Sequence, residues 1–225
     1  SHNERGKIMF FGEIYEELVE SGANPQILDA IFSMMKIYTA VFGIIGLALY
    51  ILRAAGVFKM ARASGITRPW LAFIPVVNSY TFGRIAEKYT KKDGRKTGGF
   101  AAALVSLNIA ELVTGGLLAY FSLEAVSEIL ENASGAYEMS AEMTVDMFSS
   151  LVPVILLYII VMAVTFAYLA VFYVAQWRIF AIFDYRNATL FTVLSVFFSF
   201  LSPIFLFILR NRQPVFDPWE NFRRF

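Results

Sequence analysis

The sequence predicts an all-α fold: a polytopic membrane helix bundle with three full spans plus one or two re-entrant or interrupted segments on the cytoplasmic side. Three observations carry this expectation. Of 225 residues, 58% are hydrophobic and only 16% charged, with a mean hydropathy of +0.60, which is a membrane rather than a soluble composition. Residues 147–177 and 187–209 are uncharged for 31 and 23 positions, where roughly 20 apolar residues cross a bilayer. The charges are also segregated. Residues 53–96 hold ten Lys/Arg against Glu87 and Asp93, whereas 124–146 hold six acids and no base, and 1–29 hold six acids against Arg5 and Lys7. The basic stretch, including loop 84–99, is therefore expected in the cytoplasm, with the N-terminus and the acidic loop outside.

No Ser/Gly-rich linker divides the chain, so residues 1–225 are read as one membrane domain. Residues 10–20 place Phe11, Ile14, Tyr15, Leu18 and Val19 on one helical stripe and Glu13, Glu16, Glu17 and Glu20 on the other, an amphipathic helix expected to cover the outer end of the bundle. Asn24 is the expected N-cap of the next helix and Pro25 its first residue. The first span covers 31–52, with Lys36 snorkelling near the outer end and Gly43 and Gly46 offering a thin packing face. No cleavable secretory signal precedes it, so this span is expected to serve as its own targeting signal. The helix should then emerge along the cytoplasmic surface through Arg53, Lys59 and Arg62 and stop at Gly65.

Residues 69–83 are too short to span and carry Pro69, Trp70 and Pro75, which marks a re-entrant or interfacial element interrupted at Pro75. The second span, 100–123, contains Asn108 and Glu111. At 1.5 Å per residue Glu111 falls about 15–18 Å from the cytoplasmic end, near the midplane. A lone carboxyl there is expected to be neutral or paired and to face the bundle, with Asn78 or Ser79 as candidate partners. Residues 124–149 form the expected outer acidic loop, and 150–177 the third span, ending at an interfacial Gln176, Trp177 and Arg178, with Asp184 and Arg186 in the wet layer beyond. For 187–209 two rules conflict. Length favours a fourth span, but that would put the basic tail 210–225 outside, and a hairpin turning near 199–203 returns it to the cytoplasm. A weak internal repeat favours the hairpin: each half gives a span, a basic interfacial stretch, a Pro-containing uncharged segment and then Arg, at Arg84 and at Arg210.

Residues 54–78, AAGVFKMARASGITRPWLAFIPVVN, together with IFDYRNATLFTVLSVFF and FLFILRNR, resemble a group of uncharacterised small bacterial multi-pass membrane proteins carrying a Gly-Ile-x-x-Pro-Trp-Leu-Ala-x-Ile-Pro-x-x-Asn pattern. The resemblance covers less than half the chain. It implies membrane class and a bacterial source and attaches no activity.

Chemistry is narrowly bounded. Cysteine is absent and His2 is the only histidine, so thiolate chemistry, Cys-zinc sites and His-based triads are excluded. Neither a metalloprotease His-Glu motif nor a nucleophile elbow occurs. No catalytic residue, metal or cofactor is assigned. The basic loop reads as the positive-inside signal and not as a nucleic-acid surface. The leading expectation is a non-enzymatic accessory or scaffold subunit whose partners are the lipid bilayer and another membrane protein. The alternative is a transporter or channel for an ion or small solute, built around Glu111, Asn108, Asn78 and Ser79.

Overall fold

A computed structural model describes residues 24–96, 98–135 and 141–219. The amphipathic helix expected over 10–20 lies outside them. The described chain is helical: α1 Pro25–Ala63, a 3-10 turn Pro69–Phe73, α2 Pro75–Ala86, α3 Phe100–Gly135, α4 Ala141–Asp184, α5 Ala188–Phe197 and α6 Leu201–Leu209. The extended pairing among these residues is limited to one bridge, Thr90 with Lys96. Pro25–Ala63, Phe100–Ser127 and Leu151–Asp184 are long and apolar enough to cross a membrane. By length and composition the chain is a multi-pass membrane protein.

Residues 1–50 and 51–225 form two compact units. Within the first, the Asn24 side-chain oxygen accepts the Gln26 amide at 3.0 Å, which is the expected cap, and Pro25 takes the first helical position where its missing N–H would have had no helical partner. Within the second, α1 ends in a Schellman turn. Gly65 has φ +69, its amide bonds Arg62 O at 3.1 Å and the Ile66 amide bonds Ala61 O at 3.0 Å. Two close backbone approaches then fix the neighbours. A Cβ on Gly56 would lie 2.9 Å from the Leu206 carbonyl of α6, and one on Gly83 would lie 2.7 Å from the Phe100 carbonyl carbon and closer still to Ala101. Glycine is what lets α1 touch α6 and α2 touch the start of α3.

The stretch 69–83 is divided in two just before Pro75. Ile74 before it is extended, at φ −93 and ψ 123, and Pro75 opens α2, as Pro69 opens the 3-10 turn. One expectation is corrected: in the acidic stretch 124–149 the described residues are not a loop, since 124–135 belong to α3 and 141–149 to α4. Its Glu, Ala, Met and Leu residues are good helix formers, and a helix needs no bilayer around it to continue into water. Gln176 and Arg178, expected at the interface, and Asp184, expected in the wet layer, are buried within the protein, because chain from elsewhere covers that end of α4.

Residues 187–209 form a helical hairpin. Phe198 leaves helical geometry, and residues 199–200 turn. Phe191 and Phe205 then stack with ring centroids 4.6 Å apart, both against Phe180 of α4. One continuous helix would hold positions 191 and 205 about 21 Å apart. The core gathers Val57, Met60, Phe82, Ile85, Leu104, Phe172, Ile179, Phe180 and Leu206, so the short elements α2, α5 and α6 pack around the ends of the long ones.

Candidate functional site

Among the described residues, polar groups collect at three places taken in turn, and the local chain course explains each. The first is between α3 and α4. Thr165 Oγ1 donates to Glu111 Oε1 at 3.1 Å. Both residues are half-buried, and Thr114, one turn along from Glu111, returns its own hydroxyl to Ala110 O at 2.8 Å. Asn108 is half-buried on the same helix. Asn78, an expected partner of Glu111, is used elsewhere. Asn78 Nδ2 donates to Ala72 O, which ties α2 back to the 3-10 turn, and Asn78 Oδ1 is left without a partner among the described residues. Ser79 is buried on α2 beside it. Thr165 escapes a reading of the sequence because nothing local marks one threonine in a 31-residue apolar run.

The second place is the elbow formed by the end of α1, the 3-10 turn and α2. Pro69 and Pro75 set its two starts, and Trp70, Phe73 and Tyr80 stay exposed on it. Arg84 Nη1 donates to Glu87 Oε2 at 2.9 Å, while Glu87 Oε1 accepts the Ala101 amide at 3.0 Å. Glu87 thus satisfies an early amide of α3, which no intrahelical carbonyl can reach, while holding α2 onto it. A cleft of about 590 Å³ opens beside this elbow, lined by Arg68, Arg84 and Lys88 with Thr67, Tyr80 and Leu71 among its walls.

The third place is a platform made by loop 87–96, the end of α4 and the tail. The Thr90 amide bonds Phe216 O at 2.8 Å and the Val215 amide bonds Ile182 O at 2.7 Å. Arg212 Nη1 donates to the buried Asp184 Oδ2 at 2.5 Å, which Asn187 Nδ2 also reaches at 3.0 Å. Trp219 Nε1 donates to Tyr89 Oη at 3.0 Å, and Trp219 meets Tyr185 edge-on at 5.0 Å. Partial burial, with the Tyr89 phenol nearby, pushes the Tyr185 hydroxyl above its ordinary range. Arg178 stacks over Phe100 at 4.4 Å, and Arg53 over Phe172 and Phe82 at 4.9 and 5.2 Å. Such stacking stabilises a desolvated cation by about 1–2 kcal/mol.

Together these groups pack helices and close loops. The carboxylates are engaged with Thr165, with Arg84 and Ala101, and with Arg212 and Asn187. Among the described residues no three acidic or imidazole side chains are grouped to hold a metal ion. Comparison with protein families, with curated proteins and with solved structures finds no match to this chain.

Proposed function

We propose that the chain is a non-enzymatic membrane protein that serves as an accessory or scaffold subunit to a membrane protein partner. The observation that carries this reading is the Glu111–Thr165 hydrogen bond: the most conspicuous acid inside a span is used to join two helices of the same chain, which is how polar side chains act as glue between membrane helices. The long helices also turn large apolar side chains outward, among them Leu112, Val113, Ile155, Leu156 and Phe166, a surface suited to lipid and to the flank of another apolar helix. In this reading the N-terminus faces outside, loop 84–99 is cytoplasmic, and the tail lies with that loop, which the Thr90–Phe216 bond supports.

A photo-crosslinking residue placed at Leu156, exposed on α4, and at Leu104, buried on α3, tests the proposal in native membranes. A discrete protein adduct at 156 and none at 104 is expected, alongside proteoliposomes that hold ion and proton gradients as tightly as protein-free vesicles. Lipid adducts alone at 156, combined with a leak that Glu111→Gln abolishes, would replace the scaffold by a transporter centred on Glu111 and Asn108.

A further inference from the structure

The elbow cleft combines features that packing does not require. Its lining holds three cationic side chains, Arg68, Arg84 and Lys88, and no acidic one. Glu87 lies just outside and engages one Nη of Arg84; the Arg84 side chain is still half exposed, and Arg68 is exposed at the cleft's edge. The local balance therefore stays positive by about two charges. Hydroxyls of Thr67 and Tyr80 share the walls with the side chains of Leu71 and Val77. At about 590 Å³ the cleft has the size of a small-molecule site. Like charges held around one concavity repel one another, and an arrangement of this kind is favourable when an anion fills it.

Exposed aromatic side chains on the two elements that line the cleft indicate the source of that anion. Trp70 and Phe73 of the 3-10 turn are exposed at 55% and 47%, and Tyr80 on α2 at 41%. Exposed Trp and Tyr next to basic side chains are the composition of a membrane interface, where aromatic rings lie at headgroup depth and cations meet phosphate. Guanidinium groups hold phosphate oxygens in a bidentate manner and an ammonium adds a point charge, so two Arg and one Lys match a tetrahedral oxyanion.

We propose that this cleft binds a phosphate ester, the headgroup of an anionic phospholipid, through Arg68, Arg84 and Lys88, with the acyl chains leaving past Trp70 and Phe73.

The test uses the full chain purified in a neutral detergent, with dioctanoyl phosphatidylglycerol, dioctanoyl phosphatidylcholine and sn-glycerol 3-phosphate as probes, read by thermal shift and by native mass spectrometry. Phosphatidylglycerol should stabilise and be retained, phosphatidylcholine should not, and added salt should weaken the effect. Arg68→Gln with Lys88→Gln should weaken binding about five-fold for each charge removed, with Arg84 left in place because it also holds Glu87. Arg95→Gln with Lys96→Gln, a control of equal charge on the loop away from the cleft, should bind as wild type. Stabilisation by glycerol phosphate that the cleft variant loses would keep the phosphate site and make its source a soluble ester. Equal response to phosphatidylcholine, an unaffected cleft variant, or equal loss in the loop control would overturn the proposal. Should the double variant not fold, Arg68→Gln alone decides it, since that side chain is exposed.

Discussion

Glu111 of α3 and Thr165 of α4 are equidistant from the connection between their helices: Glu111 lies 24 residues before Gly135 and Thr165 lies 24 residues after Ala141. Two antiparallel helices joined by a short link must bring such positions level, about 36 Å from the link at 1.5 Å per residue. The hydrogen bond thus reports the register of α3 against α4, and Glu111 is positioned by that register and not by the elbow at Asn78.

A double-mutant cycle follows from this pairing. Glu111→Gln retains a hydrogen-bonding oxygen of similar shape and should leave the thermal midpoint in detergent nearly unchanged. Glu111→Leu and Thr165→Val should each lower stability, with a coupling energy of about 0.5–1.5 kcal/mol, the range of interhelical hydrogen bonds in membranes. Zero coupling, or a Gln variant less stable than the Leu variant, would show that the bond does not join the two helices.

Gly83 gives a steric prediction. Alanine there drives its methyl into the Phe100–Ala101 backbone, and a backbone cannot move aside as a flexible side chain can. Gly83→Ala should destabilise by about 1–3 kcal/mol, the usual penalty of overpacking. Gly115→Ala, in α3 where an added Cβ meets nothing within 4 Å, should be neutral or slightly stabilising from helix propensity alone. Thermal midpoints of the two variants in one detergent decide it, and equal midpoints would show that the α2–α3 contact yields to an added methyl group.

Distance along the chain decides which features are legible in the sequence. The three long apolar helices, the Asn24 cap and the Gly65 stop are legible because periodicity, composition and cap chemistry act within a few residues. Gln176, Arg178 and Asp184 follow a long apolar run and read as a wet interface, yet they are buried. What covers that end is the tail, whose Val215 amide reaches Ile182 O and whose Arg212 reaches Asp184, and the loop carrying Tyr89, packed edge-on against Trp177. Those covers come from about 30 and 90 residues away, beyond any local pattern. Pro75 is legible for a local reason: a proline biases the residue before it to extended backbone, and the extended Ile74 separates the 3-10 turn from α2, which Pro75 opens.

Asp184 and Arg212 make the tail's attachment testable. Arg212→Gln leaves a buried carboxylate with Asn187 as its remaining described partner. Because half of the Arg212 side chain is exposed and screened, the expected loss is about 1–2 kcal/mol, below the full penalty of an uncompensated buried charge. The tail should also become more sensitive to limited proteolysis near Gln213. Asp184→Asn in the Arg212→Gln background should recover most of the loss, since a neutral amide no longer needs the cation. A double variant as unstable as Arg212→Gln alone would mean that the pair is incidental to tail docking.

The hairpin at residues 188–209 makes one prediction that holds whichever way the protein is inserted. Phe191 stacks on Phe205, so the chain reverses there, and the tail bonds to Thr90 and Ile182, so it ends beside the basic loop. Loop and tail must then share one side of the membrane. The chain has no cysteine, which makes single replacements clean probes: Arg95→Cys in the loop and Gln213→Cys in the tail, both at exposed side chains, and Glu138→Cys between the second and third candidate spans. With an impermeant maleimide on intact cells, Glu138→Cys should be labelled and the other two should react only after permeabilisation, as the excess of Lys and Arg in residues 53–96 demands. Labelling of both Arg95→Cys and Gln213→Cys in intact cells, with Glu138→Cys protected, would invert the orientation and leave the hairpin intact. Opposite behaviour of Arg95→Cys and Gln213→Cys would sink the hairpin itself, because a chain that crosses at 188–209 cannot also bond its tail to the loop it left behind.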